Sequence, residues 1–87
     1  MPGKKILIAD DERPLVELLQ FSLSVRGYDV CTAANGQEAL NKIIAENPAF
    51  VILDLMMPEI DGYHVLQKIT FQEVYLESIP KFIILTA

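Results

Sequence analysis

The hydrophobic positions of this 87-residue chain follow two patterns that alternate along its length. Four short runs, 4–10, 28–34, 49–55 and 80–87, are predicted to be strands, and 49–55 has the continuous apolar composition of a strand buried on both faces of a parallel sheet. Between them, apolar residues recur every three or four positions, which is typical of helices with one buried face. The helical rows are Leu15, Leu19 and Leu23, then Leu40, Ile43 and Ile44, then Val65, Leu66 and Ile69. The pattern predicts four strands and three helices, and leaves residues 70–78 as an unassigned connector.

Residues at the ends of the helical rows match the preferences of helix termini. Pro14 is suited to the first turn of the first helix, and Gly27 to its end. Asn35 can cap the second helix, and Glu38, three residues later, can complete a capping box. Asp61 is a candidate cap for the third helix.

Acidic or hydroxyl residues end three of the four predicted strands. Asp10 and Asp11 end the first strand, Asp54 the third and Thr86 the fourth. Strands that alternate with helices indicate βαβ units, right-handed crossovers and an α/β fold with a doubly wound parallel sheet. In such sheets ligands bind beyond the carboxyl ends of the strands, where the strand order reverses. We therefore expect these four side chains to lie at one edge of the sheet.

Composition and charge narrow the classes of function. The chain is 52% apolar and carries 7 basic and 12 acidic residues, for a net charge of −5, which argues against direct nucleic-acid binding. No apolar run approaches the ~18 residues of a membrane span. The single cysteine, Cys31, excludes an internal disulfide and a cysteine-rich metal site. A reducing, cytoplasmic location fits these observations best, with Cys31 a small buried apolar residue.

The acidic residues predict a chemistry of metal and phosphate. Three carboxylates that converge at a half-buried edge repel one another, and a divalent cation removes the conflict. Mg²⁺ prefers oxygen ligands and is usually held by one or two carboxylates together with waters and a phosphate. A carboxylate beside such an ion can attack a phosphoryl group and form an aspartyl phosphate. Thr86 could then donate a hydrogen bond to that phosphoryl group.

Other interpretations of these residues stay open at this point. Asp10 and Asp11 could form a solvated acidic turn, Thr86 could be only a strand residue, and His64 is expected to be surface structure. A flavodoxin-like cofactor site is disfavoured, because the loop after the first strand is acidic and lacks glycine. A phosphatase of the haloacid dehalogenase type would need an Asp-x-Asp motif after the first strand, and the chain has none there.

Three motifs together resemble the receiver domain of two-component response regulators. They are ILIADDE at 6–12, VILDLMMPEIDGY at 51–63 and FIILTA at 82–87, in the order and spacing of that family. The resemblance runs through the whole chain and implies a flavodoxin-like doubly wound sheet. It also implies that a sensor histidine kinase or a phosphotransfer protein supplies the phosphoryl group, and that the receiver catalyses its own phosphorylation and dephosphorylation.

The resemblance assigns a role to each residue of the predicted site. Asp54 matches the phosphoacceptor, Asp11 the direct Mg²⁺ ligand and Asp10 the acidic residue that usually acts on the metal through water. Met56 matches the position whose backbone carbonyl completes the metal site. Thr86 matches the hydroxyl residue that bonds the phosphoryl group and takes part in switching.

The chain departs from the family pattern after Thr86. A receiver normally continues through a fourth helix, a fifth strand that ends in a phosphate-binding lysine, and a fifth helix. We therefore interpret residues 1–87 as a single receiver domain truncated after its fourth strand. Truncation would impair phosphoryl transfer more than metal binding, which leaves open whether the chain is an enzyme. It would also expose the apolar fourth strand as an edge, so we expect a homo-oligomer formed by strand pairing or domain swapping. The alternative function is a phosphorylation-incompetent fragment that acts only as an interaction or self-assembling module.

Overall fold

A computed structural model describes residues 3–85 of the chain. Strands and helices alternate throughout, and the predicted connector after the third helix has no regular structure. The elements are β1 (Lys5–Ala9), α1 (Arg13–Val25), β2 (Asp29–Ala33), α2 (Gly36–Glu46), β3 (Phe50–Asp54), α3 (Gly62–Thr70) and β4 (Lys81–Leu85). The predicted set of four strands and three helices is therefore confirmed, with shorter strands than the apolar runs.

The four strands form one parallel sheet in the order β2-β1-β3-β4. In register, Ile8 of β1 lies beside Thr32 of β2 and Ile52 of β3, and Asp54 lies beside Leu85 of β4. The chain moves from β1 outward to β2, crosses back to β3 and then moves outward to β4. The strand order thus reverses between β1 and β3, as in a doubly wound sheet.

The main hydrophobic core lies between the sheet and the α2–α3 helix pair. Its strand residues are fully buried, because two helices cover them. Helix α1 contacts β1 and β2 and contributes no residue to this cluster, so it packs on the opposite face. The cluster includes Leu7, Ala9, Leu40, Ile43, Val51, Leu53, Val65 and Ile69.

The face of the sheet that carries α1 is only partly covered in the described chain. Helix α1 covers β1 and β2, whereas β3 and β4 have no described helix above them on this side. Phe50 and Ile52 are consequently half-buried, and Ile83 is 52% exposed. The expectation that β3 is buried on both faces is therefore wrong for this side of the strand. β4 is an edge of the described sheet, as predicted.

The predicted helix caps are present. Asn35 Oδ1 accepts the Glu38 N–H at 2.8 Å, and Glu38 Oε1 accepts the N–H of Ala34 at 3.2 Å. The capping box thus closes on Ala34 rather than on Asn35 itself. Asp61 Oδ1 caps α3 by accepting the His64 N–H at 3.0 Å. The exposed His64 ring also lies 2.8 Å from Asp61, through Nδ1, which agrees with a surface role for this histidine.

The end of α1 agrees with the sequence analysis, and the expected burial of Cys31 agrees with it only in part. Gly27 has a φ of 94° and follows the last turn of α1, which only a residue that tolerates positive φ can do without strain. Cys31 is half-buried and packs against the main core.

Among the described helices, none combines the length and the apolar character needed to cross a bilayer.

Candidate functional site

The candidate site lies at the carboxyl ends of the two central strands. Asp10 and Asp11 follow β1, and Asp54 is the last residue of β3. These strands are neighbours, with Ala9 in register with Leu53, so the two chain segments leave the sheet side by side. The chain runs outward in opposite directions from β1 and β3, and their loops therefore leave a cleft between them.

Three carboxylates meet in this cleft. One carboxylate oxygen from each of Asp10, Asp11 and Asp54 can be chosen so that all three lie within 4.8 Å of one another. Asp10 is buried at 4% exposure, Asp54 is half-buried and Asp11 is exposed. Together with Met56 and Leu85, they line an open cavity of about 270 Å³. The predicted convergence of these acids is therefore present in the structure.

Backbone N–H groups hold two of the three carboxylates. The Glu12 N–H donates to Asp10 Oδ1 at 2.9 Å, and the Met56 N–H donates to Asp54 Oδ1 at 3.0 Å. Each bond runs from a residue two positions further along the chain, as in an Asx turn. Each aspartate is thereby oriented by its own loop, through one of its two oxygens.

The electrostatics of the cleft disfavour charge on Asp10. Burial raises the pKa of the Asp10 carboxyl above its usual 3.8, and the neighbouring carboxylates of Asp54, Glu12 and Asp11 raise it further. The hydrogen bond from the Glu12 N–H opposes this shift by stabilising the ionised form. Within residues 3–85, no lysine or arginine forms an ion pair with the three aspartates.

This donor set fits a small divalent cation. Carboxylate oxygens are ligands that Mg²⁺ prefers, and the three that converge here have no described cationic side chain paired with them. Asp11 is exposed, so an ion beside it could keep some of its waters. A cation here would offset both the burial and the carboxylate repulsion that raise the pKa of Asp10. Asp10, Asp11 and Asp54 are the residues that could hold it.

Two other predicted site residues have different outcomes. Met56 lies at the cavity with its side chain 68% exposed, a position consistent with a role for its backbone rather than its thioether. Thr86 lies outside the described residues, so its predicted role stays a prediction. The last described residue of β4, Leu85, lies beside Asp54 in the register and lines the cavity.

The loop between β3 and α3, residues 55–61, forms one wall of the site and is closely packed on its inner side. Glu59 has a φ of 63°, which is unusual for a residue with a side chain. Gly36, at the start of α2, and Gly62, at the start of α3, both approach backbone atoms of this segment. The close approach of Gly36 was not predicted from the sequence. A glycine in the first turn of a predicted helix, where propensity disfavours it, was the available signal.

The sequence matches known proteins over nearly all of its length. The profile of the response regulator receiver domain family matches residues 6–87. The alkaline phosphatase synthesis transcriptional regulatory protein PhoP of Bacillus subtilis is 46% identical over 72 residues, which cover 83% of this chain and 30% of that protein. The probable transcriptional regulator ycf27 of Porphyridium aerugineum is 47% identical over all 87 residues, or 34% of its own length. The chain thus spans about a third of these relatives.

Solved structures show the same fold. The receiver domain of a Francisella response regulator superimposes with a TM-score of 0.86 at 30% identity, over 98% of this chain and 67% of that one. The response regulator TrrA of Thermotoga maritima, solved in complex with Mg²⁺-BeF, gives a TM-score of 0.81 at 42% identity, over 95% and 69% of the two chains. The family match over residues 6–87 shows that the chain belongs to the response regulator receiver domain family of two-component systems.

Proposed function

We propose that this chain is a phosphoacceptor module that receives a phosphoryl group on Asp54 with the help of Mg²⁺. The observation that carries the proposal is the convergence of Asp10, Asp11 and Asp54 at the switch point of the sheet. The Mg²⁺-BeF complex of TrrA supports the choice of cation and phosphoryl chemistry for a similar chain. Asp10, Asp11 and Asp54 would hold the metal, with the Met56 carbonyl as a further ligand.

Asp54 has the arrangement expected of the nucleophile. Its Oδ1 accepts the Met56 N–H, which leaves the other carboxylate oxygen to attack phosphorus. In the transfer, the new O–P bond forms as the N–P bond of a phosphohistidine breaks, and its electron pair returns to the imidazole nitrogen. Bound Mg²⁺ supplies positive charge that neutralises the transferring oxygens. Thr86 is proposed to donate a hydrogen bond to the transferred group.

The donor in this proposal is a sensor histidine kinase or a phosphotransfer protein, in the cytoplasm. The family belongs to two-component signalling, and the net charge of −5 argues against nucleic acid as a direct ligand. Purified phosphorylated phosphotransfer domains, presented as a panel, would identify the partner by the speed of transfer to Asp54.

The direct test is the intact mass of the chain after incubation with a small phosphodonor and Mg²⁺, beside an Asp54→Asn variant. We expect one added phosphoryl group on the parent and none on the variant, because the amide cannot act as the nucleophile. Asp11→Asn should accept phosphate far more slowly, because it loses a direct metal ligand. Glu59→Gln, a substitution on the neighbouring loop that preserves the three acids, is the matched control.

Phosphate on the Asp54→Asn variant at the parental level would show that another residue is the acceptor. A parent that gains no mass, while folded and able to bind Mg²⁺, would favour the alternative function. In that alternative the chain is an interaction or self-assembling module that does not accept phosphate.

Self-association is a separate part of the proposal. It is supported by the position of β4 at the edge of the described sheet and by the exposure of Ile83 and Ile84, at 52% and 38%. An unpaired apolar edge strand is a template for pairing with a second chain.

A further inference from the structure

Two glycines allow the first turns of α2 and α3 to touch the backbone around the acceptor residue. A Cβ atom on Gly62 would lie 2.4 Å from the carbonyl oxygen of Asp54 and 2.8 Å from the Cα of Leu55. A Cβ atom on Gly36 would lie 1.5 Å from the carbonyl oxygen of Ile60 and 2.3 Å from its carbonyl carbon. Both distances lie far inside van der Waals contact, so neither position admits a side chain unless the backbone moves.

These contacts bracket the β3–α3 loop (residues 55–61) from two sides. Gly62 packs against the start of the loop and also donates its N–H to the Leu55 carbonyl at 3.2 Å. Gly36 packs against Ile60 near the end of the loop, and the Asp61 cap holds the last residue to α3. Between them lie Met56, whose N–H orients Asp54, and Glu59 at a φ of 63°.

Gly36 differs from Gly62 in that it is remote from the acids in sequence and does not line their cavity. Its effect must therefore pass through Ile60 and the loop. The Asn35 cap holds the first turn of α2 in place, since its side chain accepts the Glu38 N–H. The position of α2 is thereby transmitted to the loop that carries Met56.

We propose that Gly36 is a positioning residue for the phosphoacceptor site, because its close contact with Ile60 fixes the loop that orients Asp54 and presents Met56. The inference rests on the proposed function and adds a determinant that lies outside the acidic cleft. A methyl group at position 36 would push the Ile60 carbonyl away, and the displacement would reach Met56 through the three residues between them.

The experiment compares Gly36→Ala with the parent in two independent measurements. The first is Mg²⁺ affinity, from a titration followed by amide chemical shifts. We expect a loss of about tenfold, comparable to the removal of a group that orients a metal ligand. The second is hydrogen exchange of the Met56 and Gly62 N–H groups without metal, which should become faster as their bonds to Asp54 and Leu55 weaken.

Two further variants separate positioning from loss of stability. Ala45→Gly weakens the exposed last turn of α2 and should leave both the Mg²⁺ affinity and the loop amides unchanged. Asn35→Ala removes the cap and loosens the first turn without adding a methyl group, so it should shift both readouts in the same direction as Gly36→Ala, by less. If Gly36→Ala does not fold, the two measurements on Asn35→Ala decide whether the first turn of α2 positions the loop.

The outcomes distinguish this inference from the proposed function. Mg²⁺ affinity within twofold of the parent and unchanged loop amides, in Gly36→Ala or in its substitute Asn35→Ala, would overturn the positioning role. An equal effect of Ala45→Gly would also overturn it, because loss of helix stability would then explain the result. A parent that binds no Mg²⁺ would contradict the proposed function instead, and the exchange of the Met56 N–H would still decide whether Gly36 positions the loop.

Discussion

At the residue scale, Asp10 combines burial and charge in a way that costs stability. Among residues 3–85, it is the only buried residue with a polar or charged side chain, and it faces the carboxylates of Asp11 and Asp54. Asparagine has nearly the same shape and can still accept the Glu12 N–H, but carries no charge. We expect Asp10→Asn to raise the melting temperature of the metal-free chain by several degrees at pH 7, as measured by circular dichroism.

The pH dependence of this effect follows from the direction of the pKa shift. Folding raises the pKa of Asp10 above 3.8, so the folded chain holds this proton more tightly than the unfolded chain does. The parent therefore loses stability as the pH rises through the raised pKa, whereas Asp10→Asn does not. The difference in melting temperature should be small below pH 3.8 and widen above it. Glu77→Gln removes one charge at an exposed site and should show no such widening.

The residues of the site were predictable to different degrees. Asp10, Asp11 and Asp54 could be grouped from sequence, because the carboxyl ends of parallel strands share one edge of a sheet. The Asx-type bonds from Glu12 and Met56 depend on loop torsions that no residue pattern specifies. The Gly36–Ile60 contact joins residues distant in sequence, and Glu59 adopts a positive φ without the glycine that would announce it. The loop conformation around the site therefore depends on contacts with neighbouring backbone, which residue type alone does not predict.

At the element scale, α2 separates adjacent isoleucines into opposite environments. Ile43 is fully buried in the main core, whereas Ile44 is 46% exposed. We expect Ile43→Ala to lower the free energy of unfolding by about 2–5 kcal/mol, since it removes buried methyl groups and leaves a cavity. Ile44→Ala should change it by about 0.5 kcal/mol or less.

Urea denaturation of the two variants measures this contrast from the midpoints, provided that the slopes agree. Equal losses would mean that α2 is rotated relative to the sheet.

The buried face of α2 was predicted only in part from the spacing of its apolar residues, because that spacing placed Leu40, Ile43 and Ile44 together on one core face. Leu40 and Ile43 are buried there, whereas Ile44 is 46% exposed and lines an open cavity with Tyr75 and Leu76 of the connector.

The elements themselves were predictable because several local signals agree. Helix periodicity, the Asn35 and Asp61 caps and Gly27 all indicate the same boundaries, and the structure has them within a few residues. The half-buried face of β3 was misjudged from its continuous apolar run. The composition of β3 shows how apolar the strand is. Whether a helix covers each of its two faces depends on the strand order and on the lengths of the helices.

At the scale of the whole molecule, one face of the sheet is a candidate for contact between chains. Ile83 borders a groove of about 210 Å³ on the side of α1, formed with Ile6, Phe50 and Ile52. We expect the parent to self-associate and Ile83→Lys to shift it toward monomer, because a charge in an apolar interface is desolvated at high cost. Light scattering across a concentration series measures the change.

Ile79→Lys provides the control for this prediction. Ile79 is 65% exposed in the connector before β4, so the same substitution adds the same charge away from the groove. Its association should match that of the parent. A parent that is monomeric at every concentration would show that β4 and its apolar face do not pair between chains.

The arrangement of β1 beside β3 also has a consequence for how the protein forms. The segment from β1 through β2 can assemble from neighbouring parts of the chain, but Asp54 reaches Asp10 only when the third strand inserts next to the first. During synthesis the cleft therefore cannot exist until the ribosome has released the third strand. Docking of β3 also brings the carboxylates of Asp10 and Asp54 together. Their repulsion therefore opposes a late step of folding that joins residues distant in sequence. The acidic cleft is therefore assembled when β3 docks beside β1, and the described sheet is completed in a separate step, when β4 pairs with β3.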